Sequence, residues 1–139
     1  LLGRIRVAIT SDACTSPVGL CTTGTFRSGF VTGTTRFSAT GLGGQPVGEA
    51  SIVTPPAVPD TTWSYSGVLT IVTRIGTIVF NDVGVLDTVA GTFTELNSPV
   101  SGTGNFEGVT GRVFMSGTVT GGGTGFDGAV TGELCLPTD

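Results

Sequence analysis

The chain has no histidine and no lysine; all six of its basic residues are arginine. Without imidazole there is no His-based triad, and most transition-metal sites lose their commonest ligand. The scattered serines have no His to activate them, so a serine hydrolase is not expected. Leu, Ala and Glu are sparse, which leaves little to build helices from. No apolar run approaches the roughly 18 residues of a spanning helix. Charged residues make up 12% of the chain, the net charge is −4 and the pI is near 4.5. That balance speaks against nucleic acid or an anionic membrane as partner. Nothing calls for a metal or a cofactor.

Cysteine is scarce as well: Cys14, Cys21 and Cys135. The first two bracket Thr-Ser-Pro-Val-Gly-Leu, a turn-rich stretch able to bring their sulfurs together. A Cys14–Cys21 bridge is the favoured pairing, with either of them joined to Cys135 as the alternative. Such a bridge points to an oxidising compartment, secreted or periplasmic. One thiol is left over by parity. For Cys135 the readings are a free thiol packed at a contact between protomers, or an intermolecular bridge. No secretory leader is legible at Leu1–Leu2, an abrupt start compatible with one having been removed.

What the chain does have is a strict alternation. Phe126, Gly128, Val130, Gly132, Leu134 and Leu136 fall on one face of the last segment, and Asp127, Ala129, Thr131, Glu133 and Cys135 on the other. A period of two over that length is a β-strand with one side buried. At 139 residues with 38% hydrophobic content the chain suits one domain, 1–139, large enough for a real core. The 24 glycines mark turns, bulges and kinks, and abundant threonine favours strands.

The same alternation places strands at Arg4–Thr10, in a long region Thr22–Thr40 with a bulge or turn at Gly33, and at Val47–Thr54. Gly41-Leu42-Gly43-Gly44 reads as a turn, and Pro55–Asp60 as a stiff crossing loop. Trp63–Thr73 is a strong strand with Trp63, Tyr65, Leu69 and Ile71 on one face, and Arg74-Ile75-Gly76 suits a hairpin turn. Thr77–Val83 returns, Asn81-Asp82-Val83-Gly84 looks like a turn, and Val85–Glu95 follows. Leu96–Gly104 reads as a loop, and Gly111–Thr120 as the strand before the last. About eight strands with short connections favour an antiparallel meander closed into a barrel, which removes exposed edges. A two-sheet sandwich is the alternative.

Gly102-Thr103-Gly104-Asn105-Phe106-Glu107-Gly108-Val109-Thr110-Gly111 echoes Gly123-Thr124-Gly125-Phe126-Asp127-Gly128-Ala129-Val130-Thr131-Gly132, and Gly24–Gly29 is a weaker echo. The unequal spacing is not that of a solenoid. It reads as a repeated turn in which Phe plugs one end of the core. Ser101–Val113 resembles the glycine-rich signature of the dirigent and allene oxide cyclase superfamily, Gly-Thr-Gly-x-Phe-x-Gly-x-x-Gly before a strand. The resemblance covers about Val68 to Gly132. It implies a bacterial member with an eight-stranded barrel around an apolar cavity, binding hydrophobic intermediates and steering ring closure or radical coupling. It also implies a homo-oligomer, a dimer or trimer. The shared motif is structural, so no catalytic residue carries over.

The candidate chemistry is therefore read from the residues. Asp82 shares a face with Ile78 and Phe80, and Asp87 with Val85 and Val89. A carboxylate on an apolar face is an acid or base candidate inside a cavity, against a plain turn or rim role. Trp63 and Tyr65, the one Trp and one Tyr, would line such a cavity, with core packing as the alternative. Arg74 would hold an anionic group, or simply face water at its turn. Glu95 fits a solvated rim, Arg112 and Glu107 are expected to pair, and Arg4 and Arg6 to face water.

Gly122–Asp127 matches the start of a calcium-binding nonapeptide, but one copy cannot complete the oxygen shell. Gly102-Thr103-Gly104 lacks the Lys and the helix of a phosphate loop, and the Thr-x-Thr pairs lack the regular repeat of an ice-binding face.

Two functions fit. The first is a small secreted barrel that binds an apolar small molecule in its lumen, as a cyclase or stereochemical guide, working by holding one folded conformer of the substrate. The second is a non-enzymatic scaffold whose lumen is filled by side chains. A solvent-open cavity of roughly 300 Å³ or more separates them.

Overall fold

The computed structural model describes residues 2–29, 31–43 and 62–137. Eight antiparallel strands close into a barrel in sequence order: β1 (Leu2–Ile9), β2 (Cys21–Ser28), β3 (Val31–Gly43), β4 (Thr62–Thr73), β5 (Gly76–Asp87), β6 (Thr92–Gly102), β7 (Thr110–Thr120) and β8 (Gly125–Cys135). Closure comes from β1 pairing with β8, from Leu2 opposite Thr131 to Ala8 opposite Gly125. No sheet edge is left open, which is the physical gain of a barrel over a sandwich.

The alternation expected for β8 holds as far as Leu134; Leu136, expected on the same face, is exposed beyond the end of the strand. Gly128 and Val130 are buried, Phe126 and Leu134 pack against the core from inside, and Ala129, Thr131 and Glu133 are exposed. The core is one cluster that includes Phe26, Phe37, Leu69, Ile71, Phe80, Phe93, Val113 and Met115. Each such side chain contributes about 1.5–3 kcal/mol by leaving water.

Several boundaries differ from the sequence expectation, each for a local reason. Thr22–Thr40 is two strands: the chain reverses after Ser28, where Gly29 has a φ of 59°. Gly33 lies inside β3 opposite Thr73, and the register shift falls between Ala39 and Gly41 instead. Gly41, Leu42 and Gly43 continue β3 rather than turning it. β5 runs straight through Asn81–Gly84, so that segment is no turn. β6 extends to Gly102 through the expected loop. Pro99 is accommodated because the β5–β6 register shifts there, with Phe80 opposite Pro99 and Val79 opposite Ser101. The expected strand Val47–Thr54 and loop Pro55–Asp60 lie outside the described residues.

The three Gly-Thr echoes do not share a conformation. Gly24–Ser28 is in β2, and Gly125–Gly132 is in β8. Gly104–Phe106 forms a short 3-10 turn that folds under the β4–β5 turn, with the Asn105 amide donating to the Ile75 carbonyl at 2.8 Å. Phe106 is buried there and borders the cavity at that end of the barrel, beside Phe26 of the weaker echo. A disulfide joins Cys14 to Cys21 across the β1–β2 connection, and Cys135 is a free, exposed thiol.

Candidate functional site

The half of the lumen near the start of β4 carries a polar group inside an apolar lining. Two adjacent rungs of the barrel wall build it. One runs Tyr65 on β4, Gly84 on β5 and Glu95 on β6; the next runs Gly67, Asp82 and Asn97 on the same strands. Gly84 has no side chain, and a Cβ there would run into the Tyr65 ring. The phenol therefore lies across Gly84 and reaches Glu95 two strands away, donating to Oε1 at 2.9 Å. The other carboxylate oxygen of Glu95 accepts from the Asn97 amide, also at 2.9 Å. Gly67 plays the same part for Phe37, whose ring occupies the space a Cβ would need and meets Tyr65 edge-on at 6.2 Å.

Asp82 faces this pair from the middle of β5 with only 3% of its surface exposed. Burial, then a hydrogen bond to Glu95 and the charge of that residue, push its pKa up to about 10. A carboxyl so placed keeps its proton at neutral pH, because ionisation would put two negative charges side by side in a low-dielectric lumen. The Tyr65 phenol is pushed well above its usual range, by burial first and then by the charges of Glu95 and Asp82. Asp82 Oδ1 and Asn97 Oδ1 are buried without a hydrogen-bond partner among the described residues. Buried polar atoms are nearly always satisfied, so each such orphan calls for an explanation.

Asp82, Tyr65 and Glu95 line a cavity of about 70 Å³ whose remaining walls are largely apolar, Phe37, Leu42 and Phe93 among them. Leu42, Tyr65 and Glu95 also border an outer depression of about 790 Å³ that includes Ser66, Val85 and Phe114. A second interior cavity, about 100 Å³, lies toward the other end between Phe26, Ile71 and Phe106.

Of the residues singled out by sequence, the structure brings Asp82 and Tyr65 together. Trp63 is 37% exposed at the start of β4 and does not line the cavity. Asp87 ends β5 and holds the following turn, its Oδ1 accepting from the Val89 and Ala90 amides at 2.9 Å. Arg74 sits in the β4–β5 turn, nine residues or about 30 Å along the strand from Tyr65, so it does not join the group. Glu95 belongs to the lumen rather than to a solvated rim, and Asn97 lies in what reads as a loop. Their signal was the alternation of Phe93, Glu95 and Asn97, interrupted to the eye by Ser98-Pro99. Arg112 donates to the Gly111 carbonyl at 2.7 Å; among the described residues the ion pairs join Asp127 to Arg4 and Arg6.

No helix among the described residues is long and apolar enough to cross a membrane. No protein-family model matches the chain, and no curated protein matches it.

Proposed function

We propose that the barrel binds the reactive end of an apolar small molecule beside Asp82, Glu95 and Tyr65, and moves a proton there during an isomerising ring closure. The observation that carries this reading is the buried carboxyl of Asp82, with an unpartnered oxygen, in the wall of an apolar cavity. Asp82 donates its proton to an oxygen of the ligand as that oxygen gains charge. Glu95, already held by Tyr65 and Asn97, accepts a proton from the ligand in return. The two transfers balance, so ring closure by this route needs no oxidant and no co-reactant. The cavity walls supply the rest by confining the chain to a folded conformer. The resemblance of Ser101–Val113 to the dirigent and allene oxide cyclase signature supports the same reaction class, and with it we place the barrel as a homo-oligomer in a secreted or periplasmic setting.

A cavity of about 70 Å³ admits only a few heavy atoms, well below the roughly 300–1,000 Å³ of ordinary ligand sites. The remainder of a ligand would lie toward Leu42 and the outer depression that shares it. The same volume favours the second reading, a scaffold whose lumen is packed by its own side chains.

The chain has one tyrosine, so ring-labelled protein gives one set of tyrosine NMR signals, at Tyr65. Titration with a panel of apolar carbonyl and epoxide compounds is expected to shift those signals saturably, and Asp82→Asn to weaken the effect. If no compound in the panel moves them, the packed-scaffold reading stands instead.

A further inference from the structure

Four of the six arginines line one depression of about 790 Å³ on the outer wall: Arg4 and Arg6 on β1, Arg27 on β2, and Arg74 in the β4–β5 turn. The chain as a whole is acidic, at −4, so this clustering runs against its own balance. The registers make it sharper. Arg4 stands directly opposite Arg27 across the β1–β2 pair, and Arg6 is opposite Thr25. Like charges facing each other across two strands cost stability. Asp127, on the flank at β8, holds Arg4 at 3.1 Å and Arg6 at 3.2 Å. Arg27 and Arg74 have no ion pair or hydrogen bond from their side chains among the described residues. One carboxylate against four guanidinium groups leaves the wall strongly positive.

We propose that this wall binds an acidic polysaccharide, carrying carboxylate or sulfate groups along its chain. Guanidinium forks match planar carboxylates and sulfate oxygens bidentately, which a lysine cannot do. Between the arginines stand the exposed Thr25, Thr32 and Thr34, whose hydroxyls can both donate and accept toward sugar hydroxyls. Single-stranded nucleic acid is the poorer fit: Phe26, the one aromatic among the described residues bordering the depression, is buried, so those residues offer no ring for base stacking. The site lies on the outside of the wall, away from Asp82 and Glu95, so it stands or falls independently of the lumen.

The test is calorimetric titration of the intact chain with an oligogalacturonate, which carries carboxylate alone, and, separately, a carrageenan oligosaccharide, which carries sulfate alone; these arms distinguish carboxylate from sulfate. At least one is expected to bind and to weaken as sodium chloride is added. The double variant Arg27→Gln/Arg74→Gln should weaken it about tenfold or more. Arg112→Gln, away from the depression, should leave it unchanged. Because Arg27→Gln removes a like-charge contact, its Tm should equal or exceed that of the parent, so lost binding will not reflect lost folding. The proposal is overturned if neither oligosaccharide binds, if the double variant binds as the parent does, if Arg112→Gln weakens binding equally, or if Arg27→Gln lowers the Tm. Equally tight binding of a single-stranded DNA oligomer would also overturn it.

Discussion

Tyr65 and Glu95 sit on strands separated by β5, yet their side chains meet at 2.9 Å because Gly84 between them is bare. That contact organises the polar end of the lumen. It fixes one carboxylate oxygen of Glu95 and leaves the other to Asn97; burial first, and then this neighbouring Glu95, push the Asp82 pKa up.

Gly84→Ala should break this arrangement without touching any of its members. The added Cβ meets the Tyr65 ring and the Thr94 carbonyl, so the phenol must move. A loss of about 1–3 kcal/mol is expected in urea unfolding, with the Tyr65 ring signals shifted.

Tyr65→Phe keeps the ring and removes the donor. Glu95 then loses one of its two partners in a half-buried position, at a cost of about 1–2 kcal/mol. In the parent, tyrosinate absorbance should rise only well above the ordinary phenol range, since this chain has no other tyrosine to obscure it. An ordinary phenol titration would show that the ring is not buried beside the carboxylates.

Asp82 makes stability depend on pH with a definite sign. Its pKa rises from 3.8 to about 10 in the fold, so the native state holds a proton that the unfolded chain releases. The contribution is full below 3.8 and is lost progressively as pH rises through about 10. Asp82→Asn, neutral at every pH, removes this dependence. The Tm of the parent minus that of the variant should therefore fall steadily across that interval; a difference that rises with pH contradicts the assignment.

Thiol chemistry tests the covalent frame. Native protein should react with one equivalent of a thiol reagent, at exposed Cys135, and reduced, unfolded protein with three. Replacing Cys14 and Cys21 by Ser should cost about 2–3 kcal/mol, the loop-closure value for so short a loop.

Much of the architecture was legible in the residues. Alternation in Trp63–Thr73 and Phe126–Leu134 predicted strands with the faces they have, Trp63 at the exposed start of its strand excepted, and the Cys14–Cys21 spacing predicted the bridge. The misreadings cluster where glycine or proline serves packing rather than turning. Gly84 suggests a turn after Asp82, yet it is bare so that a ring can cross it. Pro99 suggests a loop, yet it sits at a register shift. Because both lie in the strands that carry the polar group, Asp82 stands alone in the sequence, and its partners Glu95 and Asn97 read as rim and loop. Such partnerships depend on which strands become neighbours, and periodicity along one strand carries no information about that.

The protonation of Asp82 tests the account most directly. Infrared spectra near neutral pH should show the carbonyl band of one buried, protonated carboxylic acid in the parent, and Asp82→Asn should lack it. A parent spectrum with every carboxyl ionised, or a band that survives in Asp82→Asn, would contradict it.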